Sequence, residues 1–259
     1  MKTLVKNYSL IISLTKRDIE ERYRNSTLGL LWSIALPLFM LAIYTFVFSF
    51  VFKSKWGVDT NISYSLVMFI GLITHAFYSE CLGKATGLIH GNANYVKKVI
   101  FPLQILCWVS LLSSFFQFLI SFCVFLLFYF LMGYELQPSQ LLVPFIVLPM
   151  IIMALALILF ISALSVYVRD VRHIISVVIS ILLFLSPVFY SITSVPEKYR
   201  WLIYLNPITY AIECLRDVVI YGKFIEVLPY TLYFLVCVIS HFLASKWFNK
   251  LKVGFADVI

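Results

Sequence analysis

The sequence predicts an all-α polytopic membrane protein with six transmembrane helices. Hydrophobic residues make up 62% of the 259 residues and charged residues 12%, whereas soluble domains contain roughly 45–50% and about 25%, respectively. Six stretches without Asp, Glu, Lys or Arg approach or exceed about 20 residues, the length that a helix needs to cross a bilayer. Their hydrophobicity is continuous, which excludes the alternating pattern of a membrane β-barrel.

The first 25 residues are expected to form a unit distinct from the membrane domain at 26–259. Over residues 4–24, most apolar side chains share one helical face and most lysines and arginines share the other. This pattern is typical of a helix that lies in the membrane interface. The apolar stretch is too short for a signal peptide. The sequence therefore predicts a cytoplasmic amphipathic helix, which either anchors the chain or docks a partner.

The charge-free stretches also locate and orient the spans. The predicted spans are about 29–52, 62–80, 104–132, 141–167, 174–190 and 228–246. With six spans both termini lie on one side of the membrane, and that side receives fourteen of the 20 lysines and arginines, against six on the other. Because Lys and Arg accumulate in cytoplasmic loops, both termini are expected in the cytoplasm. The net charge of +8 then reflects topology rather than nucleic-acid binding.

The sequence contains no recognisable catalytic or nucleotide-binding motif. The phosphate-binding loop G-x-x-x-x-G-K-[ST] is absent, as are G-x-S-x-G and H-E-x-x-H. No metal and no cofactor are expected, since the Cys and His residues lack ligand spacing. His75 is the ionisable residue inside a span, and a neutral imidazole bonded to a neighbouring helix is its favoured interpretation. We therefore expect a chain that is not an enzyme and depends on another protein for energy.

The loop between spans two and three, about 81–102, is expected to carry a short surface helix. Gly91 and the residue after it give a turn signal, and Asn94 is placed to cap the helix that follows. Its mixture of apolar and basic groups suits a partner's groove, although the loop could instead serve topology alone. The residues assigned to this surface are Asn92, Asn94, Tyr95, Val96, Lys97 and Lys98.

The outer loop between spans five and six, about 191–226, predicts two short helices. Pro207 disfavours a helical conformation at the preceding residue, so one helix ends and another begins there. Each helix is too short to span the bilayer and too apolar for water. This predicts a re-entrant hairpin, with a hairpin resting on the outer leaflet as the alternative. Glu213 can pair with Arg216 three positions later. The candidate residues are Tyr199, Trp201, Tyr204, Asn206, Pro207, Glu213 and Arg216.

Five segments resemble ABC-2 type permeases that export polysaccharides, in order over nearly the whole chain. They are 22–32 (RYRNSTLGLLW, followed by Pro37), 91–102 (GNANYVKKVIFP), 167–173 (YVRDVRH), 186–190 (SPVFY) and 205–209 (LNPIT). Each motif is weak alone, but their order, the span count and the topology agree. The sequence is most similar to the Wzm-type O-antigen exporters of lipopolysaccharide synthesis, with capsule and teichoic-acid exporters next.

The resemblance implies that two copies form one channel in the bacterial inner membrane. Two ATPase subunits, which bind ATP and Mg, would dock beneath it. The substrate would be a polysaccharide on undecaprenyl pyrophosphate. Residues 4–24 would form the interface helix, 92–98 the coupling helix, and the outer hairpin a periplasmic gate. An ABC-2 permease for capsule, teichoic acid, a drug or a lipid is an alternative. A membrane-embedded glycan or lipid transferase is an alternative of a different class, and it would need a buried acid, base or metal cluster.

Aromatic rings could line such a channel, because sugar C–H faces pack on them and many weak contacts let a polymer slide. The candidates are Tyr44, Phe48, Phe189 and Tyr190, although for each a core or interface position is the favoured interpretation. Arginine forks could hold a diphosphate at the cytoplasmic entrance. Those candidates are Arg22, Arg24, Arg169 and Arg172. Arg24 and Arg169 are hypothesised to contact the lipid-linked phosphate or to brace the interface helix.

Overall fold

The computed structural model describes residues 7–24, 26–52, 56, 63–97 and 101–259, and no strand occurs among them. The α-helices are α1 (Tyr8–Tyr23), α2 (Trp32–Tyr44), α3 (Tyr64–Ala85), α4 (Ala93–Val96), α5 (Gln104–Leu131), α6 (Val143–Tyr167), α7 (Val171–Leu185), α8 (Glu197–Tyr204), α9 (Pro207–Val219), α10 (Val227–Leu251) and α11 (Phe255–Val258). Short 3₁₀ segments precede α2, α4, α6 and α11. The prediction of an all-helical chain is confirmed for the described residues.

Five helical stretches of the described chain are long and apolar enough to cross a membrane. They are Gly29–Val51, Tyr64–Ala85, Gln104–Leu131, Pro138–Tyr167 and Val227–Val258. These stretches agree with predicted spans one, two, three, four and six, so the chain is a polytopic membrane protein. Each stretch has the length and the apolar composition that a helix needs to cross a bilayer.

Predicted span five differs from the structure. Helix α7 ends at Leu185, and its 15 residues rise only about 22 Å, short of a hydrocarbon core of about 30 Å. Ser186 has an extended conformation with ψ 147°, because the ring of Pro187 disfavours the helical region for the residue before it. The prediction of a helix to position 190 was therefore wrong, since the apolar composition of the last residues concealed the helix end.

Span one is continuous in extent but not in geometry. A 3₁₀ turn at Gly29–Leu31 leads into α2, and a π-helix at Thr45–Val51 follows it. The Thr45 and Ser49 hydroxyl groups are buried there without a hydrogen-bond partner. Short π-helical segments occur often at functional positions. Phe48 of this segment packs on Tyr64 at the start of α3.

Helix α3 lies at the centre of the bundle. It packs against α5, α6, α7 and α9, while α10 packs along α6. Most of its side chains are buried, and Phe77 contacts Phe118 of α5 with ring centroids 5.5 Å apart. Helix α1 packs outside this core, where Ile11 and Leu14 meet Ile105 and Val109. The part of the predicted interface helix at 4–6 lies outside the described residues.

Candidate functional site

Four charged side chains join α1 to α3, and we call them the inner ion network: Asp18, Arg22, Glu80 and Lys84. Arg22 forms an ion pair with Glu80. The Lys84 Nζ atom lies 3.2 Å from Glu80 Oε1 and 3.0 Å from Asp18 Oδ2. The network therefore holds α1 against the C-terminal half of α3 with charges of alternating sign.

Helix α5 completes this arrangement with two hydroxyl groups. Ser114 Oγ donates to Glu80 Oε1 at 3.0 Å, and Lys84 Nζ donates to Ser113 Oγ at 2.8 Å. Burial raises the pKa of Asp18, but the hydrogen bond with Ser113 and the ammonium of Lys84 outweigh it and hold that pKa below its ordinary value. Asp18 is therefore ionised at neutral pH and attracts Lys84. The three helices are joined into one unit.

The sequence did not reveal this network. Glu80 lies at the end of predicted span two, and its partner Arg22 is 58 positions away in the chain. The one local signal was the spacing of Glu80 and Lys84, which places them on the same helical face. Arg24 and Arg169 are hypothesised to contact the lipid-linked phosphate or to brace the interface helix, but the ion pairs that hold this helix against α3 come from Arg22 and Lys84.

The remaining candidate cations are exposed. Arg24, Arg169 and Arg172 all lie at the surface. Asp170 follows Arg169 directly in the sequence. Within the described part of the protein, no ion pair links Asp170 to an arginine. The three side chains are therefore available to an anion, and their role at a phosphate stays a prediction.

The short helix predicted after Gly91 is present as α4, but it begins earlier than expected. Asn92, not Asn94, occupies the position before the helix, and its side chain donates to Leu88 O at 2.9 Å instead of capping. The prediction of Asn94 as the cap was wrong because the 3₁₀ turn at His90–Asn92 runs directly into α4. Asn94 lies on the exposed side of the helix.

Helix α4 also contacts α1. Tyr95 packs on Phe101 with ring centroids 4.5 Å apart, and Arg17 Nη1 donates to its hydroxyl at 3.4 Å. Val96 is half-buried, whereas Lys97 is exposed; Lys98 lies outside the described residues. A crevice of about 280 Å³ lies between α1 and residues 87–92, which directly precede α4. The two elements therefore form one surface at the same end of the bundle, with apolar groups inward and polar groups outward.

At the opposite end, α8 and α9 form the predicted hairpin. Asn206 accepts a hydrogen bond from Ile208 N at 3.0 Å and donates to Ser186 Oγ at 2.8 Å. This caps α9 at the helix break that Pro207 predicts, and it ties the tip of the hairpin to the end of α7. The aromatic candidates of α8 are exposed: Tyr199, Trp201 and Tyr204.

Arg216 of α9 is 1% exposed and donates to the backbone of two other segments. Its Nε atom donates to Val67 O of α3 at 2.9 Å, and its two Nη atoms donate to Pro187 O and Val188 O, the second at 3.1 Å. Nη1 also lies 2.8 Å from Glu213 Oε1, so the predicted pair is confirmed. We call these five residues the outer arginine cluster.

The chemistry of the guanidinium explains why this burial is tolerated. A buried charge is expensive unless it is paired and fully hydrogen-bonded, and the planar fork of arginine can serve several acceptors at once. The Trp56 ring adds a cation–π contact, with Arg216 Cζ 4.4 Å from the ring centroid. The cluster therefore joins the hairpin to α3 and to the segment after α7. The sequence predicted the Glu213 pair but not the burial or the backbone acceptors.

The channel candidates are partly brought together. Phe48 packs on Tyr64 and Phe189, with centroids 5.3 and 6.4 Å apart, and on Tyr44 at 6.3 Å. These rings border the hydrophobic core. Tyr190 points elsewhere, since its hydroxyl donates to Phe184 O at 2.9 Å. A channel role for these rings stays a prediction. The His75 imidazole forms a hydrogen bond with Ile179 O of α7 at 3.2 Å, which confirms the predicted bond to a neighbouring helix.

A pair of glycines on α3 tests the outer arginine cluster. A Cβ atom at Gly71 would lie 2.8 Å from Arg216 Nη2 and 3.2 Å from Val188 Cα, whereas one at Gly83 would meet nothing within 4 Å. Gly71→Ala should therefore displace Arg216 and lower the free energy of unfolding by about 1–3 kcal/mol. Gly83→Ala should leave it unchanged or raise it by roughly 0.5–1 kcal/mol, because alanine favours a helix.

Thermal unfolding of the two purified variants in one detergent measures this difference. Equal stability of Gly71→Ala and Gly83→Ala would show that α3 and Arg216 do not approach as closely as described.

Known proteins resemble this chain over most of its length. A family model described as "ABC-2 type transporter" matches residues 9–220. The chain is 27% identical over 257 residues to an O-antigen export system permease protein RfbA of Klebsiella pneumoniae, covering 97% of this chain and 95% of that protein. It is 26% identical over 263 residues to the protein of the same name from Myxococcus xanthus, covering 100% and 98%.

Proposed function

The chain belongs to the ABC-2 type transporter family, and on that premise we propose that it is the permease subunit of an ATP-driven O-antigen exporter. The observation that carries the proposal is the likeness, over nearly the full length of both chains, to proteins named O-antigen export system permeases. The cargo would be a polysaccharide linked to undecaprenyl pyrophosphate. ATP and Mg would be bound by a separate ATPase subunit.

A six-crossing topology in the inner membrane, with cytoplasmic termini, is part of the proposal. Contacts between α3 and α7 support it. The middle of α7 meets the middle of α3 through Ile179 and His75, and Tyr64 at the start of α3 donates to Phe189 O beyond the end of α7. Helix α7 therefore runs antiparallel to α3, and α7 together with 186–190 covers the depth of the bilayer that α7 alone does not reach.

The hairpin is proposed to re-enter the membrane from the periplasmic side as a gate. Its tip, Leu205 and Pro207, lines a groove together with Ala156, which lies about 20 Å along α6 from Val143 at 1.5 Å per residue. At the other end of α9, Val218 O accepts from Ser139 before α6. The 13 residues of α9 also rise about 20 Å, so both ends fit a helix that runs from mid-membrane to the outer surface.

Two copies are proposed to enclose the path of the polysaccharide. Helix α7 supports this, because eight of its 15 residues are exposed in the single chain and Val171 alone among them is buried, although the helix belongs to the membrane domain. Ser176 and Ser180 lie on its exposed surface, one turn apart, and hydroxyl groups are better matched to sugars and water than to lipid. The aromatic rings around Phe48 would border the same path.

The ATPase subunits are proposed to dock on the surface formed by α1 and α4. An ATPase groove could receive the exposed Asn94 and Lys97, while Tyr95 transmits the movement to α1 through Arg17. The inner ion network would then carry that movement to α3. The exposed arginines 24, 169 and 172 would meet the diphosphate of the incoming cargo.

Removing this chain from the cells that produce it tests the function. Surface O-antigen should disappear, and full-length lipid-linked polysaccharide should accumulate on the cytoplasmic side. Deletion of the ATPase subunit is the matched control and should give the same phenotype. A transferase would instead leave incomplete polymer, and unaltered surface O-antigen would contradict the proposal. Loss of a capsule or teichoic acid would identify a different exporter.

A further inference from the structure

A groove of about 740 Å³ lies between α6 and α10 on the outside of the bundle. Its walls are almost wholly apolar, and several of the residues that line them are exposed in the chain. Among the lining residues, Phe160, Val236 and Leu243 are exposed, Leu157 is partly exposed, and Met153 and Ala244 are buried. Both helices are candidate membrane spans. A groove of this kind, open to the side, faces the acyl chains of the bilayer rather than water.

The end of the groove nearest the C-terminus is basic and aromatic. Lys246 and Lys250 line it one helical turn apart, so their ammonium groups share one face of α10. Lys246 Nζ lies 4.3 Å from the centroid of the Phe242 ring, and Trp247 packs on Phe160 with centroids 5.5 Å apart. Tryptophan side chains concentrate at membrane–water interfaces. This end therefore lies at the headgroup level, with the cations at the surface.

The other end of the groove reaches the hairpin. Leu205 and Pro207, at the turn between α8 and α9, belong to its lining. Leu205 is 70% exposed, so its side chain has room for a neighbour. Whatever fills the groove therefore contacts the tip of the hairpin, which Asn206 joins to the end of α7.

We propose that this groove binds one anionic phospholipid from the cytoplasmic leaflet. Its phosphate would be held by Lys246 and Lys250, and one acyl chain would lie along the apolar walls as far as Leu205. Charge complementarity favours this occupant, because basic pockets between membrane helices on the cytoplasmic side suit anionic headgroups. The proposal rests on the orientation in the proposed function. It adds that the lipid supports the hairpin from the side.

Native mass spectrometry of the purified protein tests the proposal. The wild-type protein should bind one phosphatidylglycerol at least about tenfold more tightly than one phosphatidylcholine, because the two ammonium groups attract a headgroup with a net negative charge. The double variant K246S/K250S should lose that preference. The matched control K198S/K223S removes two exposed lysines near the hairpin, at the opposite end of the helix bundle, and should keep the preference.

A second variant examines the acyl chain separately. Leu243→Trp enlarges an exposed side chain in the groove, so it should weaken the binding of both lipids without unfolding the protein. Inorganic phosphate at equal ionic strength should not compete, because it has no acyl chain.

Equal binding of the two lipids, an unaltered preference in K246S/K250S, or competition by phosphate would overturn the proposal. So would cross-linking of a second copy of the chain across the groove. The measurement does not involve export. A failed lipid site would leave the deletion phenotype intact, and a failed deletion phenotype would leave the binding data intact.

Discussion

Arg216→Leu is expected to abolish export and to lower the free energy of unfolding by about 3–5 kcal/mol, because it leaves the half-buried carboxylate of Glu213 without its partner. The carbonyls of Val67, Pro187 and Val188 would also lose their donor. The hairpin would then be detached from α3 and from the end of α7. Thermal unfolding of the purified protein and the amount of surface O-antigen measure the two effects.

Three further variants distinguish the effect of the Arg216 charge from the effect of its hydrogen bonds. Lys198→Leu removes an exposed cation from α8 and should change neither stability nor export. Arg216→Lys keeps the charge but cannot serve a carboxylate and three carbonyls together, so its effect should be intermediate. The double variant E213L/R216L removes both charges and should recover part of the stability, while export stays low. Near-normal stability of Arg216→Leu would refute the role given to the cluster.

Reversing one charge of the inner ion network is expected to uncouple ATP hydrolysis from export. In Arg22→Glu, two carboxylates would face each other beside Lys84, and α1 would lose its main contact with Glu80. Export should fall at least about tenfold, whereas the ATPase activity of the assembled transporter should persist. The reciprocal variant R22E/E80R restores opposite charges and should recover most of the export. A double-mutant cycle should give an interaction free energy of roughly 0.5–3 kcal/mol.

An exposed pair on α1 provides the control for this prediction. Lys16 and Glu20 are 3.8 Å apart with side chains 75% and 58% exposed, and pairs of this kind contribute little to stability. K16E/E20K and each single reversal should therefore leave the attachment of α1 to α3 and the thermal stability of the permease unchanged. If Arg22→Glu behaves like these variants, movement of the ATPase does not reach α3 through the inner ion network.

The sequence was sufficient where local chemistry determines the structure. Long charge-free stretches located five of the spans, and Pro207 located the break within the hairpin, because the residue before a proline avoids the helical region. The same rule explains the failure at span five. The Pro187 ring ends α7 at Leu185, but apolar residues on both sides concealed this helix end in a pattern based on hydrophobicity alone.

The functional contacts were less accessible, because they join segments that are far apart in the chain. Arg216 donates to Val67, 149 positions away, and Arg22 pairs with Glu80 across 58 positions. No local periodicity identifies such partners. Gly71 offered one indirect signal, since a small residue inside a span often marks a close approach of another segment. That segment proved to be the side chain of Arg216 and the backbone of Val188.

The central claim is that this chain provides a path but no energy, and reconstitution into vesicles tests it most directly. Purified permease would be inserted with its ATPase subunits, and movement of lipid-linked polysaccharide into the vesicle lumen would be followed by an enzyme that digests only exposed polymer. We predict transport with ATP and active ATPase, and none with a hydrolysis-defective ATPase or with the permease alone. Uphill transport by the permease alone, or a permease that never associates with an ATPase, would contradict the claim.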